Sequence, residues 1–152
     1  SDCQCVAENC ANGVDDDADG KTDCSDSDCK FIAACLPTCQ PLEAISCGEI
    51  KSGTTIGAAN LMSGYQCSDF SESGPEAVYK FTAPFTGTAT ASVSLFPDLD
   101  VVVLNGICQA NQCVAFGNST VTFQMVQDEV FYIVVDGFNG NQGDYSLSLT
   151  CK

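Results

Sequence analysis

Apolar and polar residues alternate over much of the last two thirds of the chain. Between Thr86 and Phe96, Ala89, Ala91, Val93 and Leu95 fall on every second position, with Thr and Ser among their neighbours. A period of two puts one set on a single face of an extended segment, the pattern of a half-buried strand. The alternation recurs through Val121, Phe123 and Met125 between Ser119 and Val126, and through Tyr145, Leu147, Leu149 and Cys151 after Gly143. Leu99 to Leu104 and Val130 to Val135 are denser apolar runs, as expected of central strands. Ala77 to Phe81 and Glu49 to Thr55 are shorter candidates. Turn chemistry separates them at Asn105-Gly106, at Gly117-Asn118 and from Gly137 to Gly143. Seven or eight short strands at this spacing predict an all-β fold, a β-sandwich over residues 48–152. The one candidate for a helix longer than a turn or two is Asp28 to Ala34.

Residues 1–47 read differently. They hold eight cysteines, Cys3, Cys5, Cys10, Cys24, Cys29, Cys35, Cys39 and Cys47, and half of the acidic residues. Their large apolar residues are Val6, Val14, Phe31, Ile32, Leu36, Leu42 and Ile45. So few apolar side chains build no core, so disulfides and a bound ion are expected to hold this arm. It is expected to lean on the second half or on a neighbouring molecule. The second half holds Cys67, Cys108, Cys113 and Cys151. Cys108 and Cys113 are expected to close a local loop. Cys47 and Cys151 bracket the sandwich and Cys67 lies in a loop; whether these pair among themselves or with the arm stays open, because spacing does not fix connectivity.

Twelve cysteines in 152 residues point to an oxidised, extracellular protein, and their spacings are not those of paired zinc knuckles. The opening Ser1-Asp2-Cys3 fits an end left after removal of an export signal. Twenty acidic residues face five lysines, with no Arg and no His, for a net charge of -15. That balance argues against nucleic acid and anionic membranes as partners. The lack of His removes His-based nucleophile pairs and His-liganded zinc or haem. No apolar run reaches the length of a membrane span.

The sharpest chemical signal lies between Asp15 and Asp26. Counted from Asp15, carboxylates occupy loop positions 1, 3, 5, 9 and 12, as Asp15, Asp17, Asp19, Asp23 and Asp26, with Gly20 at position 6. That is the spacing of an EF-hand-type calcium loop. Alternate residues of a tightly wound loop point inward, Gly20 permits the sharp turn, and Lys21 is expected to offer its carbonyl. Asp23 binds directly or through water. Asp26 would close the loop where Glu is usual; a shorter Asp binds with one oxygen, weakens the site or yields to another closing ligand. Seven Asp between residues 15 and 28 repel one another without a cation. Oxygen-only ligands in this number favour Ca2+. Asp16 and Asp28 are left over, facing water or helping to hold a second ion.

The run from Glu8 to Cys29 resembles the MopE-type metal-binding motif of secreted bacterial proteins. Its Asp ladder is similar to thrombospondin type 3 and dockerin calcium loops. Cys10, Asn12, Gly13, Cys24 and Cys29 match the family pattern, and the resemblance implies a calcium-stabilised, disulfide-pinned loop with a structural role. Three further stretches carry a second resemblance: Ala77 to Thr82, Asp98 to Leu104, and Val130 to Gly137 followed by Gly143 to Leu149. Residues 48–152 resemble the bacterial pre-peptidase C-terminal domain. This implies a jelly-roll-like sandwich and an accessory module. Asp98, Asp100, Asp136 and Asp144 fall at strand ends or turns, as turn caps or as a second calcium site.

Three function classes follow. The first, favoured, is a secreted, calcium-binding structural protein that assembles with copies of itself through the arm into a filament. The second is a non-catalytic binding module for surface glycans or proteins, which needs an exposed aromatic patch; Tyr65, Phe70, Phe85, Phe96 and Phe138 lie near loops. The third, an enzyme, finds no Gly-x-Ser-x-Gly, His-Glu-x-x-His or Ser-x-x-Lys motif, so no catalytic residue is assigned. Asn118-Ser119-Thr120 fits a glycosylation sequon.

Overall fold

In the computed structural model the described residues are 7–94 and 98–152. Cys3, Cys5, Val6, Leu95 and Phe96, named above, lie outside them. The chain divides into two compact units after Pro37.

Among its described residues, the first unit has three single 3-10 turns, Asp23–Ser25, Ser27–Cys29 and Ala33–Cys35, the last two falling where the helical candidate was read. Disulfides Cys10–Cys29 and Cys24–Cys35 cross-link it. Cys29 is fully buried. Covalent bonds and side-chain-to-backbone hydrogen bonds hold this unit, as expected where apolar residues are few.

Among its described residues, the second unit has nine strands: β1 Glu43–Ala44, β2 Ile50–Thr54, β3 Ala77–Thr82, β4 Gly87–Ser94, β5 Leu99–Asn105, β6 Cys113–Gly117, β7 Thr120–Met125, β8 Val130–Gly137 and β9 Asp144–Cys151. They form a five-stranded sheet, β1-β3-β8-β5-β6, and a four-stranded sheet, β2-β9-β4-β7. Every pairing is antiparallel except β1 with β3. The sheets stack on one apolar core. Ala89, Ala91, Val93, Val121, Phe123, Met125, Leu147 and Leu149 meet Phe81, Val101, Val103, Phe131, Ile133 and Val135 there. The all-β sandwich expected from the alternation is therefore present, and all seven predicted strands occur.

Two strands go unannounced in the sequence. β6 begins at Cys113 and its burial does not alternate. β1 is two exposed residues whose place is set by parallel pairing to β3. The composition changes near Cys47, yet residues 38–47 belong to the second unit. Ile45 is buried in the sandwich core, and Cys39 and Cys47 bond to Cys108 and Cys151. The expected Cys108–Cys113 bridge is thus corrected. Cys108 pairs with Cys39, and Cys113, at the start of β6, pairs with Cys67. The 3-10 turn Ala110–Gln112 and the strand after it carry the two sulfurs to different partners.

The outer face of the five-stranded sheet is also covered. Val78, Val102, Leu104 and Val134 point away from the main core and pack with Met62 and Tyr65, which belong to the long segment between β2 and β3. That segment is tied down by Cys67–Cys113 and by the Glu76 carboxylate, which accepts hydrogen bonds from the Leu61 and Met62 amides at 2.7 and 3.2 Å.

Candidate metal site

The Asp-rich loop is shaped by hydrogen bonds from its own amides. The Asp15 carboxylate accepts from the Asp19 and Gly20 amides at 3.2 and 2.9 Å. Asp17 accepts from Asp19 at 3.1 Å, and Asp19 from Lys21 at 2.9 Å. Each bond bends the chain back on a carboxylate, the Asx turn that short acidic side chains favour. Gly20 has φ +93°, a conformation glycine adopts without cost, as the loop reading required.

The structure brings some of the predicted ligands together and not others. Carboxylate oxygens of Glu8, Asp15 and Asp17 lie within 4.8 Å of one another, as do those of Asp17, Asp26 and Asp28. Asp17 is common to both groups. Asp19 stands outside these groups and closes the turn to Lys21. Asp23 is used otherwise. Its carboxylate accepts hydrogen bonds from the Asn12 and Gly13 amides at 3.0 to 3.1 Å, joining the Asn-Gly stretch to the loop. Asp16 accepts from the Asn9 amide and the Asn12 side chain.

Glu8 was not singled out as a ligand in the sequence. It stands seven residues before the Asp ladder, outside the loop spacing, and comes in by folding back. Its two oxygens accept from the Asp16 and Asp23 amides at 2.8 and 3.0 Å, and the residue is almost fully buried. The Cys10–Cys29 bond, two residues beyond Glu8, fixes this stretch of chain.

Asp26 is the most informative residue of the group. It is 3% exposed. One oxygen accepts from the Asp28 amide at 2.7 Å, and the other, Oδ2, is buried with no hydrogen-bond partner. A buried carboxylate oxygen without a partner is costly, and a cation is the partner that a cluster of like charges admits. The Asp17 carboxyl is pushed above its usual range. Its bond from the Asp19 amide acts to lower it, but burial and the charges of Asp19, Asp26 and Asp15 outweigh that bond. The donor set, carboxylate oxygens only, fits a hard divalent ion of the calcium class.

On the sandwich, Asp144 is exposed at the start of β9, and Asp98 is exposed before β5. Asp100 and Asp136 are buried cross-strand partners. Asp136 accepts from its neighbour's Gly137 amide at 2.7 Å, the local bond of a turn cap, and also from Tyr65 Oη at 2.5 Å. Of the loop aromatics, Tyr65 is buried, whereas Phe70 is 56% exposed. Phe70 stacks on Phe116 at 5.8 Å and meets Phe138 edge-on at 6.0 Å. Phe85 is also exposed. Among the described residues no helix is long and apolar enough to cross a membrane.

No family model matches the chain, and no curated protein does either. Solved structures similar to it include the pre-peptidase C-terminal domain of a collagenase from Bacillus anthracis, at 16% identity and a TM-score of 0.49, covering 75% of this chain and 100% of that one. PliG of Aeromonas hydrophila, a periplasmic lysozyme inhibitor of g-type lysozyme, is similar at 12% identity and a TM-score of 0.49, covering 72% of this chain and 99% of that one. PliG of Salmonella Typhimurium is similar at 14% identity and a TM-score of 0.42, covering 72% and 98%. No functional property passes across likenesses this distant.

Proposed function

We propose that the chain is a non-catalytic, calcium-binding structural module of an oxidising extracellular setting, which assembles with copies of itself through its Asp-rich arm. One observation carries the calcium reading: the buried, unpartnered Oδ2 of Asp26, set beside Asp17 and Asp28. Two groups that share Asp17, one with Glu8 and Asp15 and one with Asp26 and Asp28, would hold calcium, which would supply charge compensation and cross-linking, with no chemical step. Five disulfides among the described residues belong to an oxidising compartment. The sequence has no His and no nucleophile motif, so the reading is structural.

Assembly is supported by what the molecule leaves open. Val14 and Ile32 of the arm are 52% and 45% exposed, so its apolar surface is available to a neighbouring copy. β2, β6 and β7 are sheet edges with unpaired backbone groups, and Ile50 on β2 is exposed. Negative-stain electron microscopy with calcium, then with chelator, tests the reading. Filaments that disperse on chelation, and that Asp17→Asn does not form, are expected. Single particles under both conditions would remove the assembly, and a melting curve unmoved by chelator with no calcium by elemental analysis would remove the ion.

A second reading rests on the half-exposed cluster of Phe70, Phe116 and Phe138. Stacked rings at a surface suit the apolar face of a sugar, so a glycan-binding module is the alternative. It predicts retention on an immobilised glycan or cell-wall panel that Phe70→Ala abolishes. No retention across the panel would dismiss it.

A further inference from the structure

A second group of carboxylates is buried in the sandwich itself. Asp100 and Asp136 are cross-strand partners on β5 and β8, on the outer face shared with Val102 and Val134. The segment between β2 and β3 covers this face and brings Glu72, whose backbone bridges Phe138 just after β8. Glu72 and Asp136 are fully buried, Asp100 is 1% exposed and Glu76 is 7% exposed.

Their hydrogen bonds are incomplete. Asp136 is satisfied by Tyr65 and the Gly137 amide, and one oxygen of Glu76 by the Leu61 and Met62 amides. Both oxygens of Glu72, Oδ1 of Asp100 and Oε2 of Glu76 are buried with no partner. Four remedies exist for such a group: a basic side chain, shared protons, an ordered water or a bound cation. No basic side chain serves. The sequence has only lysines, and among the described residues the ion pairs are those of Lys51 with Glu43 and Glu49. A shared proton satisfies one oxygen of Glu72 against Asp100 and leaves the other Glu72 oxygen bare. A water can donate to the bare oxygen but leaves the clustered charge in place, whereas a cation satisfies both oxygens and offsets the charge.

We propose that Glu72 and Asp100 hold a divalent cation of the calcium class that ties the β2–β3 segment to the outer face of the five-stranded sheet. The donors are oxygens only, the preference of calcium. The compact three-carboxylate groups among the described residues are both in the arm. Here two buried carboxylates supply the charge, and the flexible shell of calcium is completed by water and carbonyl groups. The site is separate from the arm site, and its test must not be read through the arm.

The full-length chain carrying Asp17→Asn, which removes the residue common to both arm groups, is therefore titrated with terbium and excited through tyrosine. Tyr65, bonded to Asp136, is the expected sensitiser. Emission that saturates, is displaced by calcium, falls several-fold in Tyr65→Phe and is lost on adding Glu72→Gln and Asp100→Asn is the expected result. Thermal unfolding of the Asp17→Asn chain is also expected to rise with calcium at pH 8. Absence of tyrosine-sensitised emission in Asp17→Asn would overturn the proposal, as would emission or a calcium shift indifferent to Glu72→Gln and Asp100→Asn. A double variant that folds as stably as its parent with no calcium response in either would assign the pair to a shared proton. Failure of the arm reading alone shows differently, as identical calcium responses in the natural and Asp17→Asn chains.

Discussion

At Gly53 on β2 the absence of a side chain makes room for two buried phenols. Tyr145 lies opposite in the register, and its hydroxyl shares a 2.6 Å hydrogen bond with that of Tyr79. A Cβ on Gly53 would stand 2.6 Å from Tyr145 Oη and 3.2 Å from Tyr79 Oη. Gly53→Ala is expected to destabilise the sandwich by about 1–3 kcal/mol, measured by chemical denaturation, because overpacking displaces the phenols. In the arm the constraint is backbone conformation. Gly20→Ala places a side chain at φ +93°, and is expected to cost about 1–2 kcal/mol and weaken calcium binding in a titration. Glu76 sets a pH dependence. Burial, against the Leu61 and Met62 amides that favour the charged form, raises its carboxyl from 4.5 to about 6. The folded state therefore holds this proton more tightly than the unfolded chain. Its contribution to stability is full below pH 4.5 and is lost as the pH rises through about 6. Stability measured in chelator, natural chain against Glu76→Gln, is expected to show a difference that changes across that window and is flat above it.

At the scale of elements, legibility follows periodicity. β4, β7 and β9 alternate cleanly because each has one face on the core, and β5 and β8 read as continuous apolar runs because both of their faces are covered. β1 and β6 carry no such signal. The first is fixed by pairing to β3, the second by β5 and by the bond from Cys113 to Cys67. Pairing partners and sulfur partners are long-range facts, and no local pattern encodes them. The Cys47–Cys151 bond closes the sandwich across a separation of 104 residues. Loops of that length lose the most entropy on cross-linking, so Cys47→Ser with Cys151→Ser is expected to cost about 2–5 kcal/mol in denaturant unfolding. A loss near zero would mean that the strands β2 and β9 alone keep the ends together.

For the molecule as a whole, composition changes near Cys47, past the boundary between the compact units after Pro37, and the acidic stretch stands out by its spacing. What spacing did not reveal was the use of each carboxylate. Asp23 serves the Asn12 and Gly13 amides, while Glu8 and Asp28 join the cluster around Asp17. A ligand that arrives by chain reversal, as Glu8 does, has no place in a twelve-residue loop pattern. Buried Glu72 was equally silent, since a lone Glu in a loop reads as solvated. We propose that a cation, together with the disulfides Cys10–Cys29 and Cys24–Cys35, organises residues 7–37. Amide hydrogen exchange of that segment, with calcium and then with chelator and with disulfides kept oxidised, tests it most directly. Strong protection of the amides of Asp16, Asp19, Gly20, Lys21, Asp23 and Asp28 in calcium and its loss in chelator, with β3 and β9 unchanged, is the expected result. Equal exchange of those amides in both conditions would contradict it.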